Sequence, residues 1–115
     1  MPIQIANIEA FHNYLSGVRQ RADHHAENVN SVILALAGAV VLFKDDNTSI
    51  ECREYKGEPA NVLFVTIRGR RYVLTYNHEL QTVEIRRDTL QGESIQTFDN
   101  NTTIQEIIRI FNTIS

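Results

Sequence analysis

From Asn7 onward, apolar positions recur at Ile8, Phe11, Leu15, Val18, Ala22, His25, Val29, Val32 and Leu36, in an alternating three–four spacing. This period predicts one long amphipathic helix with a narrow seam. Asn7 would open it as N-cap, and Gly38 would end it in a left-handed cap. Past Gly38 the period changes. "AVVLFK" is a β-branched apolar run, "DDNTS" a turn cluster, and "IECREY" alternates, with Ile50, Cys52 and Glu54 on one face. Together they predict a first hairpin. "KGEPA" reads as a loop, because Pro59 has no N–H to give to a central strand.

The clearest strand pattern is "NVLFVTIR" and "RYVLTYN" around Gly69–Arg70, which predicts a type II′ hairpin with Arg68 facing Arg71. Leu63, Val65 and Ile67 would then share a face with Tyr72, Leu74 and Tyr76. Val62, Phe64, Thr66 and Arg68 would share the other with Arg71, Val73, Thr75 and Asn77. Pairing Asn77 with Thr82 adds "TVEIRR", setting Val83 beside Tyr76 and Ile85 beside Leu74. "SIQTF" supplies a last strand. Thr103 and Glu106 fit a capping box ahead of the stripe Ile104, Ile107, Ile108, Phe111 and Ile114. The expected fold is therefore α+β, a single domain over residues 1–115. An antiparallel β-meander of about five strands carries a long N-terminal helix and a C-terminal helix packed on one face.

Composition narrows the classes. The chain has 115 residues, 43% of them hydrophobic, a net charge of −3 and one cysteine. Such a chain buries one small core, which dimerisation would help to complete. Cys52 alone makes neither an internal disulfide nor a structural zinc site, so a reducing cytoplasm is the expected compartment. No basic stretch precedes an apolar run at the N-terminus, and Val32–Phe43 falls short of the roughly 20 apolar residues of a spanning helix. No membrane association is expected.

The chemistry-bearing residues form three groups. "ADHHAE" places His25 on the helical seam and His24 about a quarter-turn away. Helical metal sites need ligands three or four residues apart, and adjacent histidines do not converge. No metal is assigned to them, and His25 reads first as a hydrogen-bonded core residue. If the helix meets the sheet near the end of the hairpin strand, His25 with Tyr76, Asn77 and His78 would line a small pocket. There a histidine with a tuned pKa could act as acid or base. The arginines make the second group. Arg68, Arg71 and Arg86, with Arg70 and Arg87 nearby, could face phosphates, but Glu84 and Asp88 interrupt them and the net charge is negative. Nucleic acid is therefore not the expected partner. The third group mixes apolar and charged positions on the second sheet face. Val62, Phe64, Arg68, Arg71, Val73 and Arg86 form an interface candidate. No phosphate loop, dinucleotide fingerprint, GxSxG or paired-cysteine motif is present, and no cofactor is expected.

The segments "RADHHAENV", "LALAGAVV", "REYKGEPANVLFV", "RGRRYVLTYNH" and "VEIRRD" resemble a group of small bacterial proteins carried on mobile integron gene cassettes. The resemblance runs from about Phe11 to Phe111. It implies an accessory bacterial protein of unknown function and brings no catalytic residues. The reading from sequence is a non-enzymatic interaction or small-ligand-binding module, acting as a homodimer with a protein or small-molecule partner. The alternative is a small metal-independent hydrolase or ribonuclease using His25 with Tyr76, Asn77 or His78. A third reading is nucleic-acid binding through the Arg68, Arg71 and Arg86 face.

Overall fold

Asn7 opens the first helix as its sequence predicts, its side-chain oxygen accepting from the Ala10 N–H at 2.8 Å. The fold is that of a computed structural model. It describes residues 2–55 and 58–114, with their side chains except at 2, 3, 24, 25, 54, 55 and 58–61. The elements run β1 (Pro2–Ile5), α1 (Ile8–His25), α2 (Val32–Phe43), β2 (Ile50–Tyr55), β3 (Glu58–Ile67), β4 (Arg70–Asn77), β5 (Thr82–Arg87), β6 (Ser94–Phe98) and α3 (Ile104–Thr113). The strands form one open antiparallel sheet in the order β1-β2-β3-β4-β5-β6. The α+β class with an antiparallel meander and flanking helices is as expected. The described sheet has six strands rather than five, because "PIQI" pairs with β2, Ile5 opposite Ile50.

The long N-terminal helix is in fact two helices. Residues 26–31, "AENVNS", interrupt the helix as a turn, with Ala26 at φ −148. The polar clamp at this corner comes from the other end of the chain. Asn100 Oδ1 accepts from the N–H groups of Ser31 (3.0 Å) and Val32 (2.9 Å), the first donors of α2. Its Nδ2 donates to the Glu27 carbonyl (2.8 Å) and to Asn30 Oδ1 (2.9 Å), and its backbone N–H donates to the Asn28 carbonyl (2.7 Å). An unpaired helix start would leave these donors without partners. α2 then runs through Gly38 to Phe43, so "AVVLF" is helical with Lys44 as its C-cap, and the expected first hairpin is replaced by pairing of β2 with β1 and β3. Residues 58–60 lie in β3, with Pro59 opposite Glu54 near the strand's outer end, where a ladder irregularity precedes it. A proline is tolerated at such a position.

The central hairpin also turns one residue earlier than expected. Ile67 faces Arg70, and Arg68 (φ 49) and Gly69 (φ 77) both take positive φ. That is the signature of a type I′ turn, whose twist matches the strands it joins. The changed pairing preserves the predicted faces, because partners shift by two residues and the side-chain period is two. Arg68 in the left-handed region is held by specific partners. The Asp45 carboxylate accepts from the N–H groups of Arg68 and Gly69, both at 2.6 Å. The Arg68 guanidinium donates to the Phe111 and Ile114 carbonyls at the end of α3. A cation at a helix C-terminus meets the negative end of the macrodipole and satisfies carbonyls left open there. The strand β5 register is as predicted, with Asn77 opposite Thr82. Thr103 and Glu106 close the capping box of α3.

The core lies between the helices and one sheet face. Cys52, Leu63, Val65, Ile67, Tyr72, Leu74, Ile85 and Phe98 from the strands join Leu36, Val40, Ile107 and Phe111 from the helices. No helix among the described residues is long and apolar enough to cross a membrane.

Candidate functional site

The core is not filled at one end. A cavity of about 270 Å³ lies between α1, α2 and the strands β3–β5. Phe11, Leu15, Val18 and Ala22 on α1 face it, with Ile33, Leu36, Ala37 and Val40 on α2 and Leu63, Leu74 and Val83 on the sheet. The helix seam read from sequence supplies most of its α1 wall. Polar groups enter at Tyr14, Arg21, Thr75, Tyr76 and His78. Tyr76 and His78 meet edge to face, their ring centroids 4.8 Å apart. His78 is exposed and Tyr76 half-buried, so this pair marks the polar side of an otherwise apolar wall. The break between the helices shapes the site, because Ala26 and Val29 of the connecting turn line the cavity beside Ala22.

Tyr14 and Arg21 are the lining residues that the three–four seam leaves out. They fall three or four residues from Val18, so a wider stripe of Tyr14, Val18, Arg21 and Ala22 would have contained them. Burial holds the Tyr14 phenol well above its ordinary value of 10.0; a Cys52 thiolate would push it further, and the Arg21 cation acts the other way. Burial likewise raises the Cys52 thiol above 9.0. Both groups are neutral in the fold, and their unfolded counterparts ionise first as pH rises. Stability is therefore expected to fall from about pH 9 upward. Urea denaturation from pH 8 to 10.5 should show this decline, and Tyr14→Phe should flatten its upper part; an unchanged slope in that variant would assign the decline elsewhere.

Of the four residues proposed from sequence for a pocket, the structure brings Tyr76 and His78 to one wall. Asn77 points to the opposite sheet face, where its Nδ2 donates to Glu84 Oε1 at 2.5 Å and its Oδ1 accepts from the Glu79 and Leu80 N–H groups. Strand alternation separates it from its two neighbours. The His25 side chain, like that of His24, lies outside the described residues. Among the described residues, no group of three or more His, Cys, Asp or Glu is placed to hold a metal ion.

The second sheet face carries five of the six interface candidates, Val62, Phe64, Arg71, Val73 and Arg86. Arg68 is not on it, having moved into the turn to serve α3. Arg71 pairs with Glu51 at 3.2 Å and lies over the Phe64 ring, 4.5 Å from its centroid. Arg86 pairs with Glu84 at 2.5 Å and donates to the Gly92 carbonyl at 3.0 Å. Val73, opposite Phe64 and Arg86 in the ladder, is fully buried, and Val62 is half-buried. What remains on this face is a set of paired charges over a small apolar strip, the usual content of an antiparallel sheet surface.

An open antiparallel sheet, helices over one face and an apolar cavity between them define a small α+β protein. Residues 11–109 match the family described as integron cassette protein VCH_CASS1 chain, and the chain belongs to that family. The cassette resemblance in the sequence is thereby established, over both helices of the kinked pair, the whole central hairpin and most of α3. The function of the family is unknown, so membership assigns no role to any residue. No curated protein matches the sequence.

Proposed function

We propose that the chain is a non-enzymatic small-ligand-binding module whose ligand occupies the cavity between α1, α2 and the sheet. The observation that carries this reading is the cavity itself. Protein interiors are ordinarily close-packed. Unfilled core volume costs about 24 cal/mol per Å³, so a sealed hollow of 270 Å³ would cost on the order of 6 kcal/mol, comparable with the whole stability of a small domain. Opening to solvent relieves part of that cost, and a bound apolar molecule would relieve more. An apolar cavity of roughly 150 Å³ accepts benzene. On that scale this one suits a bicyclic aromatic body or an alkyl chain of about eight to ten carbons. A single polar substituent would face Tyr76 and His78. Asn77 is committed to the opposite face, so Tyr76 and His78 are the two residues of that strand end left to meet a ligand.

The probe is 1-naphthol, followed by its own fluorescence in a chain that contains no tryptophan. Saturable micromolar binding is expected, with a rise in Tm that grows with ligand concentration. Ala37→Phe, which places a ring into the cavity, should weaken binding at least tenfold while leaving the variant folded. No binding to the wild type, or binding unaffected by the filling substitution, would refute the reading.

A further inference from the structure

Helix α2, "VILALAGAVVLF", contains no charged or polar side chain. Its inner flank (Val32, Ile33, Leu36, Ala39 and Val40) is buried in the core. Its outer flank is not covered by the chain. Leu42 is 72% exposed, Leu34 and Val41 are about half exposed, and Gly38 stands open between them. A helix that is apolar all round is ordinarily buried all round. Alongside it, α3 runs in the same direction: Asn100, just before α3, caps the start of α2, and Phe43 at its end meets the Phe111 ring, centroids 5.8 Å apart. On α3, Ile104 and Ile108 are exposed apolar side chains as well.

We propose that this face is the contact surface of a symmetric homodimer, with α2 packing against α2 of a second copy. Three observations favour a second copy as the occupant. The first is area. The chain leaves 6986 Å² accessible, where a monomer of 13.2 kDa ordinarily leaves about 6400 Å². The excess over the whole chain is roughly 600 Å², surface that a partner would cover, and a standard interface takes roughly 800 Å² from each side. The second is self-complementarity. No atom lies within 4 Å of the position a Cβ would take at Gly38, so a hollow sits between the knobs Leu34 and Val41. The spacing Leu34, Gly38, Val41 is the four–three step of a helix-pair seam. Two such helices related by a two-fold axis place the knobs of each beside the hollow of the other, as an isologous contact requires. The third is charge. The helix offers a charged partner nothing to pair with, whereas another copy brings an equally apolar face. The dimer surface thus lies on the helical layer and leaves the second sheet face, with its paired arginines, to solvent.

The test uses the full chain in sedimentation velocity between 1 and 200 μM, with three variants. The wild type should sediment as a dimer of twice 13.2 kDa. Leu42→Glu should raise the dimer dissociation constant at least 100-fold while the circular-dichroism spectrum stays native, since the side chain is largely exposed. Ile108→Glu on α3 should weaken the dimer by a smaller factor and covers the case in which the α2 variant misfolds. Gly38→Cys should give a covalent dimer on mild oxidation, because Cys52 is fully buried and does not compete. A wild type that is monomeric throughout, including one that instead binds phosphatidylcholine vesicles, overturns the proposal. So does a dimer that survives both glutamate variants and gives no cross-link in the Gly38→Cys variant, a result that would point to a sheet edge.

Discussion

Arg86→Met is expected to destabilise the fold by about 3 kcal/mol at pH 7, the low end for breaking a buried ion pair because the arginine is itself 27% exposed. Glu84 is almost fully buried on the second sheet face, and Arg86 supplies its opposite charge at 2.5 Å. Without the guanidinium, the carboxylate keeps only Asn77 as a described side-chain partner. The Arg86 bond to the Gly92 carbonyl, which ties down the loop before β6, is lost as well. For a domain of this size the change corresponds to a fall in Tm of about 12 °C. Urea denaturation at pH 7 should show this gap to wild type. The double variant Glu84→Met, Arg86→Met removes both charges and should lie within about 1 kcal/mol of wild type. A single variant as stable as wild type at pH 7 would mean that water already screens the pair.

Asn100→Ala carries the second large effect, a loss of about 2–3 kcal/mol. Four side-chain hydrogen bonds disappear at once, each worth about 0.5–1.5 kcal/mol, partly recovered by water because the residue is exposed. Two of the four cap the start of α2, and loss of an N-cap alone costs about 1 kcal/mol. Hydrogen exchange gives the specific readout. The amides of Ser31 and Val32 should lose protection more than those of β4, whereas a general destabilisation would lower both alike. Asn100→Asp keeps the acceptor that caps α2 and loses the two donors, so it should fall between alanine and wild type. Equal loss in both substitutions would show that the donors to Glu27 and Asn30 carry the corner.

These two expectations rest on contacts of different legibility. Glu84 and Arg86 stand two apart in "TVEIRR", and the register Asn77 opposite Thr82 places them on one face, as the sequence predicts. Their burial was not legible, because it depends on how side chains from β3, β4 and β5 crowd over Val73. The clamp of Asn100 on residues 27–32 joins positions about seventy apart. Nothing local announces it. The apolar spacing runs unbroken through "ADHHAENVNSV", so periodicity alone continues the helix. Asn28, Asn30 and Ser31 were the available sign of a corner, since such side chains compete for backbone hydrogen bonds. Arg68 is similar. Its side chain alternates with the second sheet face on paper, yet a turn one residue earlier and the open carbonyls of α3 draw it away.

The α+β class, the apolar and polar faces of the central hairpin, the β4–β5 register, the capping box of α3 and the cassette family are all legible along the chain. All of these follow from short-range periodicity, local turn chemistry or residue identity, which a linear chain displays. Long-range packing set the kink between α1 and α2, the pairing of "PIQI" with β2, the capture of Arg68 by α3, the size of the cavity and the turning of Asn77 away from it. Each depends on which distant groups meet. A backbone donor or carbonyl left open at a helix end takes whatever partner the packing brings, and a hollow exists only where side chains from several elements fail to fill the space between them.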